Sequence, residues 1–229
     1  MNIAIIPARG GSKRIPRKNI KLFYGVPVIA YAIKAAKDSG IFDEIIVSTE
    51  DLEIADVAKN FGATVPWPRA DNLSDDYSTT IDVMQDAVKK LGPLLKSKDN
   101  VCCIYPATPL LKPSFLSEGV DILESGDWNY VFSGLKTNAH PQRYFSLGNS
   151  TEVEMLLPEY IETRTQDLPR VYYDAGQFYW GKKFSWELKL PIFSSKSTIL
   201  ELPIDTVVDI DTPEDWDYAE KLFGMRVEK

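Results

Sequence analysis

The chain has little histidine, little cysteine and, over its first 37 residues, no acid. With one histidine, His140, a zinc site built on several histidines is excluded. The two cysteines, Cys102 and Cys103, are neighbours in an apolar run. On a strand they point to opposite faces, so a structural disulfide is not expected, and a reducing compartment, the cytoplasm, is. No hydrophobic run approaches the length of a membrane span. The N-terminal apolar run reads as too short for a secretory signal and is soon followed by charge. The first acid is Asp38, and no base falls between 201 and 220.

These gaps set off what is present. The 229 residues, 44% apolar, suit one large domain or one domain with a lobe. A net charge of −7 speaks against non-specific nucleic-acid binding. That charge is polarised: residues 1–37 carry eight basic groups and 201–220 carry eight acids. A fold that joins the two ends would set cations for phosphate beside carboxylates for a metal.

The most informative stretch is Ala8-Arg9-Gly10-Gly11-Ser12-Lys13-Arg14-Ile15-Pro16-Arg17-Lys18-Asn19. It follows the buried-strand run Ile3–Ile6 and precedes a helical pattern from about 26 to 39, closed near Gly40. Two glycines allow close backbone approach, and six bases between Arg9 and Lys21 stand without an acid. Exposed amides and dense positive charge suit a polyphosphate. The loop lacks the Gly-Lys-Ser/Thr ending of a P-loop and the third glycine of a dinucleotide fingerprint. On spacing alone, phosphate binding and a plain turn stand as equal readings.

Further along, 44–49 reads as a buried strand. A helix follows, capped by Thr49 or Asp51 and closed by Gly62. Residues 66–78 form a long turn-rich connection of the kind often used for function. A helix through Ile81–Leu91 follows, then a central strand 101–105 ending in the elbow Pro106–Leu110, and a helix from Pro113 to about Ser125. Strands alternating with helices predict parallel βαβ units. The periodicity changes at 135. A hairpin is expected from Tyr144–Leu147 and Val153–Leu156 around Gly148-Asn149-Ser150, then an aromatic strand 177–180. We read 1–134 and 181–229 as an α/β core and 135–180 as an inserted lobe. The core resumes with strands at 198–202 and 207–211 and a helix that Thr212-Pro213-Glu214-Asp215 begins.

On a strand, Asp209 and Asp211 share a face and could hold magnesium. The plainer alternative makes Asp211 a helix cap and Asp209 a turn acid. Ser78 likewise reads as the N-cap of the helix after it.

The pattern Ala-Arg-Gly-Gly-Ser-Lys-x-Ile-Pro-x-Lys-Asn-Ile closely resembles the opening signature of the cytidylyltransferases that activate sialic acids as CMP-sugars. The resemblance runs through four later blocks and nearly the whole chain. It implies a three-layer, Rossmann-like nucleotidyltransferase core with a mostly parallel sheet and an inserted dimerisation lobe. It also implies CTP and a nine-carbon acid sugar as substrates, Mg2+ as cofactor, and a homodimer whose lobe reaches into the partner's site. No nucleic acid and no membrane is expected as partner.

By the same resemblance Ala8, Arg9, Gly10, Gly11, Ser12, Lys18 and Asn19 would hold the triphosphate, and Arg69, Ser78 and Thr80 would read cytosine and ribose. Arg9, Lys18 and Asp211 would assist transfer, and Asp209 and Asp211 would hold the metal. Tyr105, Arg143, Arg164, Gln166, Ala175 and Tyr179 would face the sugar. An arginine suits a carboxylate because its fork pairs bidentately; a surface or interface place is the commoner fate of Arg143 and Arg164. His140 is read as structural or as an interface polar group.

Two departures bear on the acceptor. The sialate activators usually have glutamine where this chain has Tyr105, and asparagine where it has Ala175. Asp174-Ala175-Gly176-Gln177-Phe178-Tyr179-Trp180-Gly181 instead resembles the branch that takes pseudaminic acid. Legionaminate, N-acetylneuraminate or an octulosonate remain as alternative acceptors. A non-catalytic sugar-nucleotide-binding module would be expected to show an eroded phosphate loop or aspartate pair, and neither is eroded.

Overall fold

The computed structural model describes residues 1–137, 139–148 and 151–227. Its elements are β1 (Asn2–Pro7), β2 (Leu22–Phe23), β3 (Val26–Pro27), α1 (Ile29–Ser39), β4 (Glu44–Ser48), α2 (Leu52–Asn60), α3 (Thr80–Leu91) and β5 (Asn100–Ile104). They continue with α4 (Pro113–Ser125), β6 (Tyr130–Lys136), β7 (Phe145–Leu147), β8 (Val153–Met155), β9 (Tyr172–Lys182), α5 (Lys183–Glu187), β10 (Ser197–Glu201) and α6 (Pro213–Val227).

A six-stranded sheet in the order β10-β6-β9-β5-β1-β4 forms the middle layer. β1 runs parallel to β4 and β5, and β6 parallel to β10. β9 lies between β5 and β6 and is antiparallel to both. The sheet is therefore mixed and mostly parallel, with helices on both faces, the three-layer arrangement the resemblance implies.

Strand alternation divides the core. Ala4, Ile6, Cys102, Phe178 and Trp180 face α1, α2 and α4, whereas Ile3, Ile5, Cys103 and Tyr179 face α3 and α5. The two cysteines are buried, free and on opposite faces, as their adjacency predicts, and burial pushes both thiols up. A third cluster packs α6 onto the β2–β3 hairpin: Phe23 meets Trp216 at 5.5 Å and Phe223 at 5.3 Å. Burying one such ring contributes about 2–3 kcal/mol. This packing brings the acidic C-terminal segment to the basic N-terminal loop.

Several expectations are corrected. α1 begins at Ile29 rather than 26, because Val26 and Pro27 pair with Phe23 and Leu22. α3 is capped by Thr79, not Ser78; Thr79 Oγ1 accepts from the Asp82 amide and the Asp82 carboxylate accepts from the Thr79 amide. Residues 207–211 run without a ladder partner, so Asp209 and Asp211 do not sit on a strand. The stretch expected as a lobe, 135–180, overlaps the sheet at both ends, since β6 runs to Lys136 and β9 begins at Tyr172. Residues 177–180 therefore belong to the sheet centre. The excursion that leaves the sheet spans 137–171 and carries the expected hairpin, β7 with β8. Asn149 and Ser150 of its turn lie outside the described residues. α4 starts at Pro113, and Asp51 caps α2 by accepting the Ile54 amide at 3.0 Å. No helix among the described residues is long and apolar enough to cross a membrane.

Candidate active site

β1, β4 and β5 end side by side, and a cleft of about 300 Å3 opens at their carboxyl ends. Ligands of open α/β sheets bind there. The phosphate loop after β1 forms one wall. Its shape is set by short backbone approaches: Ala8 donates to the Ser48 carbonyl at 2.9 Å and Asn19 Nδ2 to the Arg9 carbonyl at 2.9 Å. A Cβ on Gly10 would stand 2.5 Å from Asp51 Oδ2, so any side chain there would have to displace the carboxylate that pairs with Arg17. Arg17 holds a left-handed φ of 55° while its guanidinium pairs with Asp51 and Glu53.

Of the predicted residues, Arg9, Ser12, Lys18, Asn19, Arg69, Ser78, Thr80, Tyr105 and Asp211 line this one cleft. Ala8, Gly10 and Gly11 shape its loop without lining it. Arg69 is buried, with Nε donating to Ser48 Oγ at 3.2 Å and Nη2 to the Ser48 carbonyl. Burial lowers its pKa, the cost of keeping a cation out of water. Thr80 Oγ1 lies 3.0 Å from the Tyr105 hydroxyl, and burial pushes that phenol up.

Lys18 is the junction of the site. Its Nζ donates to the Ile210 carbonyl at 2.6 Å and stands 3.3 Å from Asp211 Oδ1. Arg14 pairs with the same Asp211 oxygen at 2.8 Å. A second hollow of about 50 Å3, lined by Lys18, Tyr105, Pro106, Ala107, Gly176, Asp209 and Ile210, adjoins the cleft there. The two aspartates thus flank Lys18, one in each hollow. Asp209 is exposed as a residue, yet its carboxyl is pushed up first by partial burial and then by the charge of Asp211.

Two like charges held this way suit a divalent cation. Among the described residues no group of three or more acid, histidine or cysteine side chains is placed to hold a metal. The protein would then supply two carboxylates and the substrate the remaining oxygens, the pattern magnesium accepts.

The remaining predicted residues lie elsewhere. Tyr179 is buried behind Tyr105 and its hydroxyl donates to Asp174 Oδ2 at 2.5 Å, whereas Ala175 is buried in the core on the other face of the sheet. Arg143 clasps the excursion, donating to the carbonyls of Tyr160 and Ile161 at 3.2 Å each and to that of Thr163. Arg164 and Gln166 are exposed on the excursion and line neither hollow. His140 Nδ1 is buried without a hydrogen-bond partner among the described residues.

Sequence reasoning missed Asp75, Asp76, Lys13 and Arg14, all of which line the cleft. Asp76 pairs with Arg9 at 2.9 Å and with Lys13, and the Asp75 carbonyl accepts from Arg9 at 2.6 Å. Lys13 and Arg14 belong to the basic cluster and could have been named from it. Asp76 could not, because its partners lie more than 60 residues away.

A cytidylyltransferase family profile matches residues 3–228. The chain is 41% identical over 227 residues to a pseudaminic acid cytidylyltransferase of Campylobacter jejuni, covering 99% of this chain and 98% of that one. It is 34% identical over 230 residues to a CMP-N,N'-diacetyllegionaminic acid synthase of Legionella pneumophila, covering 99% and 97%. Among solved structures, a CMP:2-keto-3-deoxy-manno-octonic acid synthetase complexed with CTP superposes with a TM-score of 0.71 at 14% identity, covering 98% and 99%; at that identity the likeness speaks to the fold.

Proposed function

The chain belongs to the cytidylyltransferase family, and from that premise we propose that it transfers CMP from CTP to pseudaminic acid, releasing pyrophosphate. The observation that carries the reading is the meeting at Lys18 of a nucleotide-sized cleft and a small hollow that would admit the reacting end of the acceptor, with one aspartate in each.

In the reaction a sugar hydroxyl attacks the α-phosphorus, the bond to the β-phosphate oxygen breaks, and the hydroxyl proton is lost. Negative charge gathers on the phosphate oxygens, so positioning and positive charge do most of the work. Lys18 stands where the two hollows join and would neutralise the α-phosphate. Arg9 and Lys13, held by Asp76 in the free protein, would exchange that carboxylate for the β- and γ-phosphates. Arg69, Ser78 and Thr80 line the end of the cleft suited to base and ribose. Asp209 and Asp211 would hold magnesium, which when bound supplies further charge neutralisation on the phosphate oxygens.

Tyr105 gives the acceptor hollow an aromatic wall, backed by Tyr179 with ring centroids 5.4 Å apart. An acid sugar with fewer hydroxyls and an added acylamido group suits such a wall. We place the protein in the cytoplasm as a homodimer, with Arg164 and Gln166 reaching the partner's acceptor.

The test is pyrophosphate release with CTP and magnesium, offering pseudaminate, legionaminate and N-acetylneuraminate in parallel. Preference for pseudaminate is expected. Preference for legionaminate would keep the chemistry and change the acceptor. No turnover with any of them would overturn the assignment.

A further inference from the structure

Glu50 lies just beyond β4, behind the phosphate loop, and lines neither hollow. Its Oε1 accepts the Gly10 amide at 2.6 Å. Its Oε2 is buried and has no hydrogen-bond partner among the described residues. Glu50 is half-buried, and a carboxylate with one oxygen shut away from water and idle is costly unless its charge offsets another. That other charge is on the neighbouring segment: the Arg69 amide donates to the carbonyl of Thr49, the residue before Glu50, at 2.9 Å, and its buried guanidinium bonds Ser48 and forms no ion pair among the described residues. After burial, the Coulombic attraction of Glu50 is the largest influence on the Arg69 guanidinium.

We infer that Glu50 is a positioning residue of this site, fixing the phosphate loop through Gly10 and holding the buried Arg69 in the base-binding wall through its charge. The inference rests on the nucleotidyl-transfer reading for what the loop and the wall bind. One side chain thereby sets both ends of the nucleotide pocket in a common frame. The surrounding contacts support this. Ala8 is tied to Ser48, and Arg17 to Asp51, so the segment 48–53 already braces the loop on either side of Glu50.

Two substitutions separate the roles. Glu50→Gln keeps an oxygen for the Gly10 amide and removes the charge. Glu50→Ala removes both. Calorimetric binding of CTP and of CMP to each variant, with a thermal melt, is the measurement.

For Glu50→Gln, CTP and CMP should weaken by the same factor, because the loss falls on the base end they share. For Glu50→Ala, CTP should weaken about 10- to 100-fold, the range expected for a lost hydrogen bond to a charged group, and by more than CMP. Asp56→Asn, an exposed acid on α2, should leave both affinities unchanged.

Affinities for CTP within twofold of wild type in both variants would overturn the inference. So would losses of CTP and CMP binding that merely follow the fraction unfolded. If Glu50→Ala does not fold, Glu50→Gln still decides. A wild-type protein that binds CTP but leaves pseudaminate unchanged would refute the acceptor while the Glu50 comparison stands. A wild-type protein that binds no CTP would refute both.

Discussion

Asp211 answers two cations, Arg14 at 2.8 Å and Lys18 at 3.3 Å, from a single carboxylate oxygen. Removing it frees Lys18 from its side-chain partner and takes one of two carboxylates from the candidate metal position. Asp211→Ala should therefore lower kcat/KM for CTP by roughly 100-fold or more, the scale of losing a preorganised charge in a reacting site. Lys96→Ala, an exposed side chain remote from the cleft, should stay within twofold. Steady-state pyrophosphate release on both variants checks this, and equal activities would sink the assignment. At this scale the sequence was most legible where the site is contiguous. Arg9, Ser12, Lys18 and Asn19 occupy one loop, and the local pattern carries them all into the cleft. Asp76 acts on Arg9 and Lys13, and Glu50 on Gly10 and Arg69, all across separate elements, and no local pattern encodes such pairings.

Asp51 couples two elements: it caps α2 through the Ile54 amide and pairs with Arg17 of the phosphate loop. The Arg17 hydrogen bond holds its carboxyl below the usual range. The folded pKa then lies below the unfolded one, and between the two the unfolded chain binds more protons. The pairing thus stabilises fully above the unfolded value of about 4 and is lost as pH falls through the lower folded value. Asp51→Asn keeps a good cap but drops the charge. It should cost about 1 kcal/mol at pH 7, a value discounted for the partly exposed Arg17, and the cost should shrink below about pH 4. Urea unfolding of both proteins at pH 7 and 3.5 reads the difference, and a gap that widens in acid would contradict the pairing. Elements with strong local signals were read well, α4 to the residue through Pro113. Two were not. Val207–Asp211 has the apolar alternation of a strand, but no neighbour offers it a ladder. β9 was credited with only its aromatic half. Gly176, at φ 60°, kinks it between an exposed start and a buried end, and its antiparallel insertion between β5 and β6 is a long-range pairing.

The whole molecule leaves β7 and β8 without cover. Phe145, Leu147 and Val153 are 57%, 65% and 62% exposed, and Leu156 and Ile161 beside them are as open. A two-stranded hairpin is marginal by itself in water, and an exposed apolar patch on this scale fits an interface. The same excursion carries Arg164 and Gln166 away from their own chain's cleft. A homodimer in which each excursion completes the other site accounts for both facts, and such an arrangement has a distinctive consequence. A heterodimer of Arg164→Ala with Asp211→Ala has one site with both residues intact and one site with neither. Two separately inactive variants, mixed and allowed to exchange, should then recover up to about a quarter of the wild-type sites. Sites complete within one chain would gain nothing on mixing. Val153→Asp, which charges the hairpin, should convert the dimer to a monomer in sedimentation and abolish the recovery. A monomeric Val153→Asp protein that keeps wild-type activity with no second substitution would show that the arginine serves its own chain, and a wild-type protein that sediments as a monomer would remove the dimer altogether.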